Sequence, residues 1–216
     1  NRDGVELAGF PTAPLAAARA PVIARLGGPG TPPSIVVASA GALTAYAPDG
    51  SPRWSVGLIG SPIQDPALGD LDGDGVDEVV VSLSGPDSTR IAVRDSSGAP
   101  FTARPGWPAT LSASPLGPPI VGPLGSANGP CVAFFQSTGL RVLDETARSL
   151  PAFPKPGLAG QSPSLDELDR DGATEIAAGT SLADSNVYTY DAGEGSWSPA
   201  RVCWPTPRGD VARSAS

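Results

Sequence analysis

Short stretches of apolar residues, spaced at regular intervals, mark this chain. In four places a continuously apolar stretch is followed a few residues later by a second stretch that alternates between apolar and polar residues. The continuous stretches are 35–38, 79–81, 132–135 and 176–178, and the alternating ones are 43–46, 91–95, 140–144 and 187–191. Continuous apolar stretches this short predict strands covered on both faces, and alternation predicts strands covered on one face. The pattern therefore predicts an all-β protein.

The same order of elements recurs along the chain. Segment 66–75 recurs as 163–172, and two degenerate copies without acidic residues begin at Pro21 and Pro119. Each unit also has a third element that ends in an aromatic residue, usually before proline: Trp54, Trp107, Phe153 and Trp204. The units are about 45 to 50 residues long, which is typical of β-propeller blades.

We therefore expect one β-propeller domain built from four-stranded blades, because a single unit is too small to bury a core without its neighbours. Residues 1–20 are expected to hold the closing strand of a preceding blade, and 206–216 a tail. The blades between them are assigned to 21–65, 66–118, 119–162 and 163–205. These about four blades and an extra strand form either a small propeller or part of a larger ring.

One loop carries acidic residues at its first, third, fifth and ninth positions: Asp70, Asp72, Asp74 and Glu78. Alternating carboxylates with intervening glycines are typical of a cage for a hard cation, to which the carbonyl of Val76 at position seven can add an oxygen. An EF-hand would place a glutamate at position twelve, where this chain has Val81. The loop therefore predicts a cation site of another type.

This loop and the apolar strand after it resemble the calcium loop of FG-GAP (VCBS-type) repeats, which build the β-propellers of integrin α-subunit heads and of many secreted bacterial proteins. The resemblance implies a loop between the first two strands of a blade and a complete ring of about seven blades. It implies a first calcium site formed by Asp70, Asp72, Asp74, the Val76 carbonyl and Glu78. It implies a second site formed by Glu167, Asp169, Asp171, the Ala173 carbonyl and Glu175.

The second loop departs from the pattern at two positions. It begins with Glu167, beside which Asp166 is an alternative ligand, and it has Arg170 where the first loop has glycine. Because all ligands of each site come from one short loop, we expect one or two calcium ions that stabilise the fold rather than take part in catalysis.

Composition narrows the possible functions. The 216 residues include 27 Gly and 26 Pro, which suits short strands joined by turns, and the net charge of −8 argues against nucleic acid or an anionic membrane as partner. The absence of histidine excludes Ser-His-Asp and Cys-His catalytic sites. No apolar stretch is long enough to span a bilayer. The chain begins at Asn1 without an initiator Met or a signal peptide, so we expect a processed or excised part of a longer protein.

Three features leave alternatives open. Cys131 and Cys203 either form a disulfide or remain two buried thiols. The repeated aromatic residues either pack between blades or form a sugar-binding set. The tripeptide 208–210, Arg-Gly-Asp, either serves adhesion through integrins or is a chance match.

From these observations we expect an exported protein, located outside the cell, at the cell surface or in the periplasm. Its expected role is that of a non-catalytic, calcium-binding scaffold or protein-interaction and adhesion module, with an unidentified protein partner and possible membership of a larger assembly. We expect no catalytic residues and no membrane insertion. The alternative is a lectin-like or accessory domain of a larger secreted enzyme.

Overall fold

The computed structural model describes residues 4, 6, 9–10, 12–124, 129–155, 160, 162–179 and 186–191. Within these residues every regular element is a β-strand, so the all-β prediction is confirmed. The described part of the chain contains no helix of the length and apolarity needed to cross a membrane.

Four antiparallel sheets follow one another along the chain. Sheet 1 has the order β1 (Val22–Ala24), β2 (Ser34–Ser39), β3 (Ala42–Tyr46) and β4 (Pro52–Gly57). Sheet 2 has the order β5 (Ser61–Pro62), β7 (Glu78–Ser84), β8 (Thr89–Arg94) and β9 (Ala109–Leu111), with β6 (Ala67–Gly69) also paired to β7. Sheet 3 contains β10 (Ile120–Gly122), β11 (Cys131–Gln136) and β12 (Gly139–Leu143), and sheet 4 contains β13 (Ser164–Asp166), β14 (Glu175–Gly179) and β15 (Val187–Asp191).

The sheets differ in two respects from the sequence-based division. A regular four-stranded order is present in sheet 1, whereas sheets 3 and 4 have three strands each within the described residues. In addition, β5 belongs to the segment 21–65 that was assigned to the first blade, yet it pairs with the end of β7 through Ser61 and Ser84. The two short strands β5 and β6 thus pair with the same edge of β7. This is possible because β7 is longer than β6 and its end remains free for β5.

Apolar clusters fill the spaces between successive sheets. On β7, Val79 and Val81 belong to the cluster shared with sheet 1, whereas Val80 belongs to the cluster shared with sheet 3. A third cluster joins sheets 3 and 4 and includes Phe135 and Ile176. This alternation explains why β7 and β11 are continuously apolar: both faces of each of these two strands are covered by a neighbouring sheet.

Two of the repeated tryptophans connect neighbouring sheets. The indole Nε1 of Trp54 donates to the carbonyl of Ser96 in sheet 2 at 2.8 Å, and that of Trp107 donates to the carbonyl of Glu145, just beyond β12, at 2.9 Å. Both rings also pack against the apolar clusters between the sheets. These contacts agree with the packing interpretation of the aromatic residues. Phe153 packs in the cluster of sheets 3 and 4, and Trp204 lies outside the described residues.

The chain start repeats part of this arrangement. The backbone at Gly106 lies directly against Thr146 of the following turn, and the backbone at Gly9 lies in the same way against Asp49 of the turn after β3. A side chain at either glycine would collide with the carbonyl of the opposing residue. Gly9 therefore occupies the place, relative to sheet 1, that Gly106 occupies relative to the turn after β12.

The carbonyls that accept the tryptophan hydrogen bonds belong to equivalent turns after β8 and β12. In each turn, the oxygen of the first residue, an aspartate, accepts hydrogen bonds from the backbone amides two and four residues later. Asp95 accepts from Ser97 and Ala99. Asp144 accepts from Thr146 and Arg148. The fourth residue of each turn has a left-handed backbone, with φ of 85° at Gly98 and 62° at Ala147. Alanine is strained there, because its Cβ lies too close to the following carbonyl.

We therefore expect Ala147→Gly to stabilise the protein. Relief of the left-handed strain is worth about 1 kcal/mol, less the extra backbone entropy of glycine in the unfolded chain. Thermal unfolding should show a higher Tm for Ala147→Gly. The control is Ala152→Gly, because Ala152, which is exposed where Ala147 is half-buried, is not among the residues with positive φ. A fall in Tm of equal size for both variants would contradict the assignment of strain to Ala147.

Candidate metal centre

The two acidic loops occupy the same place in their sheets. Loop 70–77 joins the antiparallel strands β6 and β7. Strand β6 ends at Gly69 and β7 begins at Glu78, and these two residues are paired in the sheet. Loop 167–174 joins β13 and β14 at the corresponding pair, Asp166 and Glu175. In both loops the last predicted ligand is therefore the first residue of a buried strand, where the sheet fixes its position.

Three carboxylates converge in each loop. Oxygen atoms of Asp70, Asp72 and Glu78 all lie within 4.8 Å of one another, and so do oxygen atoms of Glu167, Asp169 and Glu175. Two oxygen-rich groups that can hold a metal ion are thus present among the described residues. The other two predicted acidic ligands, Asp74 and Asp171, lie outside these groups.

Asp70 organises the first loop. Its Oδ1 accepts hydrogen bonds from the backbone of Gly73 at 2.7 Å and Asp74 at 3.0 Å, and its Oδ2 accepts one from Gly75 at 2.9 Å. Gly73 and Gly75 have φ of 86° and 84°, a backbone that glycine adopts without steric cost. The chain consequently curls around the Asp70 carboxylate.

The fifth and seventh positions of the two loops match closely. Asp74 Oδ1 accepts from the Val76 amide at 2.8 Å, and Asp171 Oδ1 accepts from the Ala173 amide at 2.7 Å. The predicted carbonyl ligands Val76 and Ala173 are therefore held at equivalent places. The backbone conformations also match, since Gly172 has φ of 85° and Arg170, despite its side chain, has φ of 68°.

The first position differs between the loops. Glu167 takes the place of Asp70 in the converging group, and Asp166, the alternative ligand, instead accepts a hydrogen bond from the Glu167 amide at 2.9 Å. The Oε1 atoms of Glu167 and Glu175 are buried and accept no hydrogen bond from the described residues. Buried oxygens without partners are rare in proteins, and a cation is one group that satisfies them.

Glu78 has the least favourable environment for a charge. The residue is 3% exposed, and its Oε2 accepts one hydrogen bond, from the Leu71 amide at 2.7 Å. Burial, reinforced by repulsion from Asp72, Asp74 and Asp70, raises the pKa of Glu78 to about 8. Burial is also the main reason why the pKa values of Asp72 and Glu175 are raised. A bound cation would remove this penalty by compensating the negative charges.

Loop 70–77 is also attached to sheet 1. Asp77 Oδ2 accepts a hydrogen bond from the Arg25 amide at 2.7 Å and lies 3.9 Å from Arg25 Nε, while the Asp77 amide donates to the Arg25 carbonyl at 3.3 Å. The loop pattern does not predict this contact, because Asp77 stands at a loop position that contributes no ligand. The sequence does contain a signal for this contact, because Arg25 stands at the position of the first repeat unit that Asp70 occupies in the second.

The remaining predictions on cysteines and termini are tested only in part. Cys131 is buried, and its Sγ lies 3.4 Å from the Leu124 carbonyl. Burial raises the pKa of this thiol to about 12, so it is unreactive near neutral pH. Cys203 and the tripeptide 208–210 lie outside the described residues, so the two alternatives for each stay predictions.

Comparison with known proteins identifies the fold but no family. No protein-family model matches the sequence, and no curated protein matches it. Two crystal structures of BBS1N in complex with ARL6DN, one soaked with mercury and one with lead, are similar in structure. They share 16% and 15% sequence identity with this chain, with TM-scores of 0.61 and 0.58.

The matches cover 87% and 92% of this chain but 56% and 59% of those chains, so this chain spans less than two thirds of their length. The neighbours contain a β-propeller, and likeness at this identity concerns the fold alone. Together with the successive antiparallel sheets, it indicates a β-rich fold of the kind found in propellers.

The raised pKa of Glu78 predicts how stability depends on pH when metal ions are removed. A carboxyl whose pKa is about 8 in the folded protein and about 4.5 in the unfolded chain favours the folded state below pH 4.5, and this contribution is lost as pH rises to 8. In EDTA, Tm should fall between pH 5 and pH 8, and this fall should be smaller in Glu78→Gln, which cannot ionise. Identical pH profiles for the two proteins would show that Glu78 is not the responsible group.

Proposed function

We propose that this chain is a calcium-binding β-propeller of the FG-GAP type that acts outside the cell as a non-catalytic module for protein interaction. The observation that carries the proposal is the repetition of one acidic loop at the same place in sheets 2 and 4, each with three converging carboxylates. A repeated loop of this kind is expected of a structural element rather than of a single catalytic centre.

The ligand chemistry favours calcium over other divalent ions. Each site offers only oxygen atoms, with no nitrogen or sulfur for zinc or copper. Calcium accepts about six to eight oxygens at about 2.3–2.6 Å in flexible geometry, so carboxylates, a loop carbonyl and water can complete its shell. Magnesium requires a nearly ideal octahedron and retains several waters, which suits a loop rich in carboxylates less well.

Calcium in loop 70–77 would strengthen contacts on both sides of sheet 2. The ion compensates the repulsion among the loop carboxylates and stabilises the folded state by binding to it preferentially, by about 2.7 kcal/mol when free calcium is a hundredfold above Kd. Asp77, in the same loop, holds Arg25 of sheet 1, and Leu71, 1% exposed, packs in the cluster between sheets 2 and 3. A rigid loop would therefore keep three sheets in fixed positions.

The proposal includes a location outside the cell and a protein partner. EF-hand loops, a different type of calcium site, have Kd values of about 10⁻⁴–10⁻³ M in extracellular modules, so a structural calcium loop suits a location outside the cell. The structural neighbour BBS1N forms a complex with another protein, ARL6DN, which supports a protein-binding role for this fold.

Calcium is expected to stabilise the protein with a stoichiometry of two ions per chain. Addition of EGTA should lower Tm by several degrees and calcium in excess should restore it, whereas magnesium at the same concentration should restore it less. Isothermal titration calorimetry should count the two sites. An unchanged melt in EGTA would contradict a structural role for calcium.

The Asp72→Ala variant should remove the first site and leave the second. Its calcium stoichiometry should fall from two to one, and its Tm in calcium should lie between those of the wild type in calcium and in EGTA. Asp87→Ala is the matched control, because Asp87 is an exposed aspartate in the turn between β7 and β8, outside both loops. Loss of an ion in both variants, or in neither, would contradict the ligand assignment.

A further inference from the structure

A small cavity lies against sheet 2, away from the acidic loops. It has a volume of about 160 Å³ and is lined by Ile59, which follows β4, and by residues of sheet 2 that include Arg90, Ala92, Arg94 and Trp107. Pockets for drug-sized ligands are about 300–1,000 Å³, so this cavity has room for one apolar side chain rather than for a whole small molecule. We call it the β8 notch.

Two residue differences between the repeats fall at this cavity. When the two repeats are aligned on the equivalent turns after β8 and β12, Ala92 corresponds to Arg141 and Arg94 corresponds to Leu143. Sheet 3 thus has a long side chain where sheet 2 has alanine, and an apolar side chain where sheet 2 has a guanidinium. The β8 notch is consequently a local feature of sheet 2 and not a property of every repeat.

Two arginines flank the notch without carboxylate partners. Among the described residues the one ion pair joins Arg25 and Asp77, so neither Arg90 nor Arg94 is paired with an acid. The Nε atoms of Arg90 and Arg94 are buried and donate no hydrogen bond to the described residues. Arg90 Nη2 reaches Ser88 Oγ at 3.3 Å. Two unpaired guanidinium groups in a chain of net charge −8 form a local site of the opposite sign.

The rim of the notch is apolar. Ile59 is 71% exposed, a large aliphatic side chain in contact with water, and Trp107 is half-buried with its Nε1 already bonded to Glu145. The floor includes Phe101 and Ala92, which are buried. A ligand that covered Ile59 and filled the notch would therefore gain apolar contact as well as ion pairs.

We propose that the β8 notch binds an extended acidic segment of a protein partner, with one apolar side chain in the notch and a carboxylate on each side. Residues 90, 92 and 94 share one face of β8, and the two arginines are four residues apart, about 13 Å at about 3.3 Å per residue. An extended peptide has the same repeat, so the matching pattern is acid, any residue, apolar, any residue, acid. The inference rests on the proposed role in protein binding and specifies its surface.

Fluorescence anisotropy with the full chain in calcium tests the proposal. The probe is a fluorescein-labelled peptide with the core Glu-Ser-Leu-Ser-Glu, and the expected result is saturable binding that weakens with added salt. A peptide with the core Ser-Glu-Leu-Glu-Ser has the same composition but places its acids on the opposite face, and it should bind about tenfold more weakly. Equal binding of the two peptides would overturn the proposal.

Arg94→Leu is the decisive variant, because sheet 3 already has leucine at the equivalent position and the fold accepts it there. Its affinity for the probe should fall about tenfold while its Tm stays near that of the wild type. Arg148→Leu, which removes an exposed arginine outside the notch, should bind like the wild type. If Arg94→Leu proves unstable, Arg90→Gln serves the same test. Unchanged binding in the folded notch variant overturns the proposal.

Two further outcomes separate this inference from the proposed function. If calcium raises Tm as expected while the probe fails to bind, the notch assignment is overturned and the calcium-binding function stands. If the probe binds and Arg94→Leu weakens it while EGTA leaves Tm unchanged, the notch assignment is supported and the calcium role fails. Competition by an acidic oligosaccharide that exceeds competition by unlabelled peptide would overturn the choice of a peptide as ligand.

Discussion

A strand that is apolar on both faces requires a cover on both faces, and this requirement organises the whole chain. Strand β7 places Val79 and Val81 against sheet 1 and Val80 against sheet 3, so sheet 2 cannot bury its core without both neighbours. Because the sheets are small, the loops at their edges contribute much of the contact between them. The tryptophan hydrogen bonds and the Asp77–Arg25 contact lie at such edges. Hydrogen bonds are directional, so these contacts fix the relative orientation of sheets that the apolar clusters hold in contact.

The sequence was informative wherever one local pattern determines one local structure. Continuous and alternating apolar stretches located the eight main strands, and the spacing of acids in 70–78 located three converging carboxylates. Sequence could not show that Asp74 would bond the Val76 amide and stay outside the converging group, because a side chain has several acceptors within reach. The pairing of β5 with β7 was also missed, since two residues carry too little pattern to indicate a partner strand.

Charge has two opposite uses in this molecule. In the acidic loops, like charges are brought together by the backbone, and the raised pKa of Glu78 expresses the cost of that arrangement. In the β8 notch, guanidinium groups are kept apart from any described carboxylate although acids outnumber basic residues in the chain. Neither arrangement is explained by packing of the apolar clusters, because the charged side chains are not members of those clusters. Both arrangements support the two binding proposals made above.

The alternation of acidic and acid-free loops constrains how such a chain can change in length. The loops of sheets 2 and 4 carry the carboxylates, the corresponding loops of sheets 1 and 3 do not, and Asp77 makes its contact with the acid-free loop at Arg25. Loss of the third repeat would bring two strongly negative loops into adjacent positions, with no acid-free loop between them. Gain or loss of repeats in pairs would preserve the alternation, so the natural module of duplication in this architecture is two sheets rather than one.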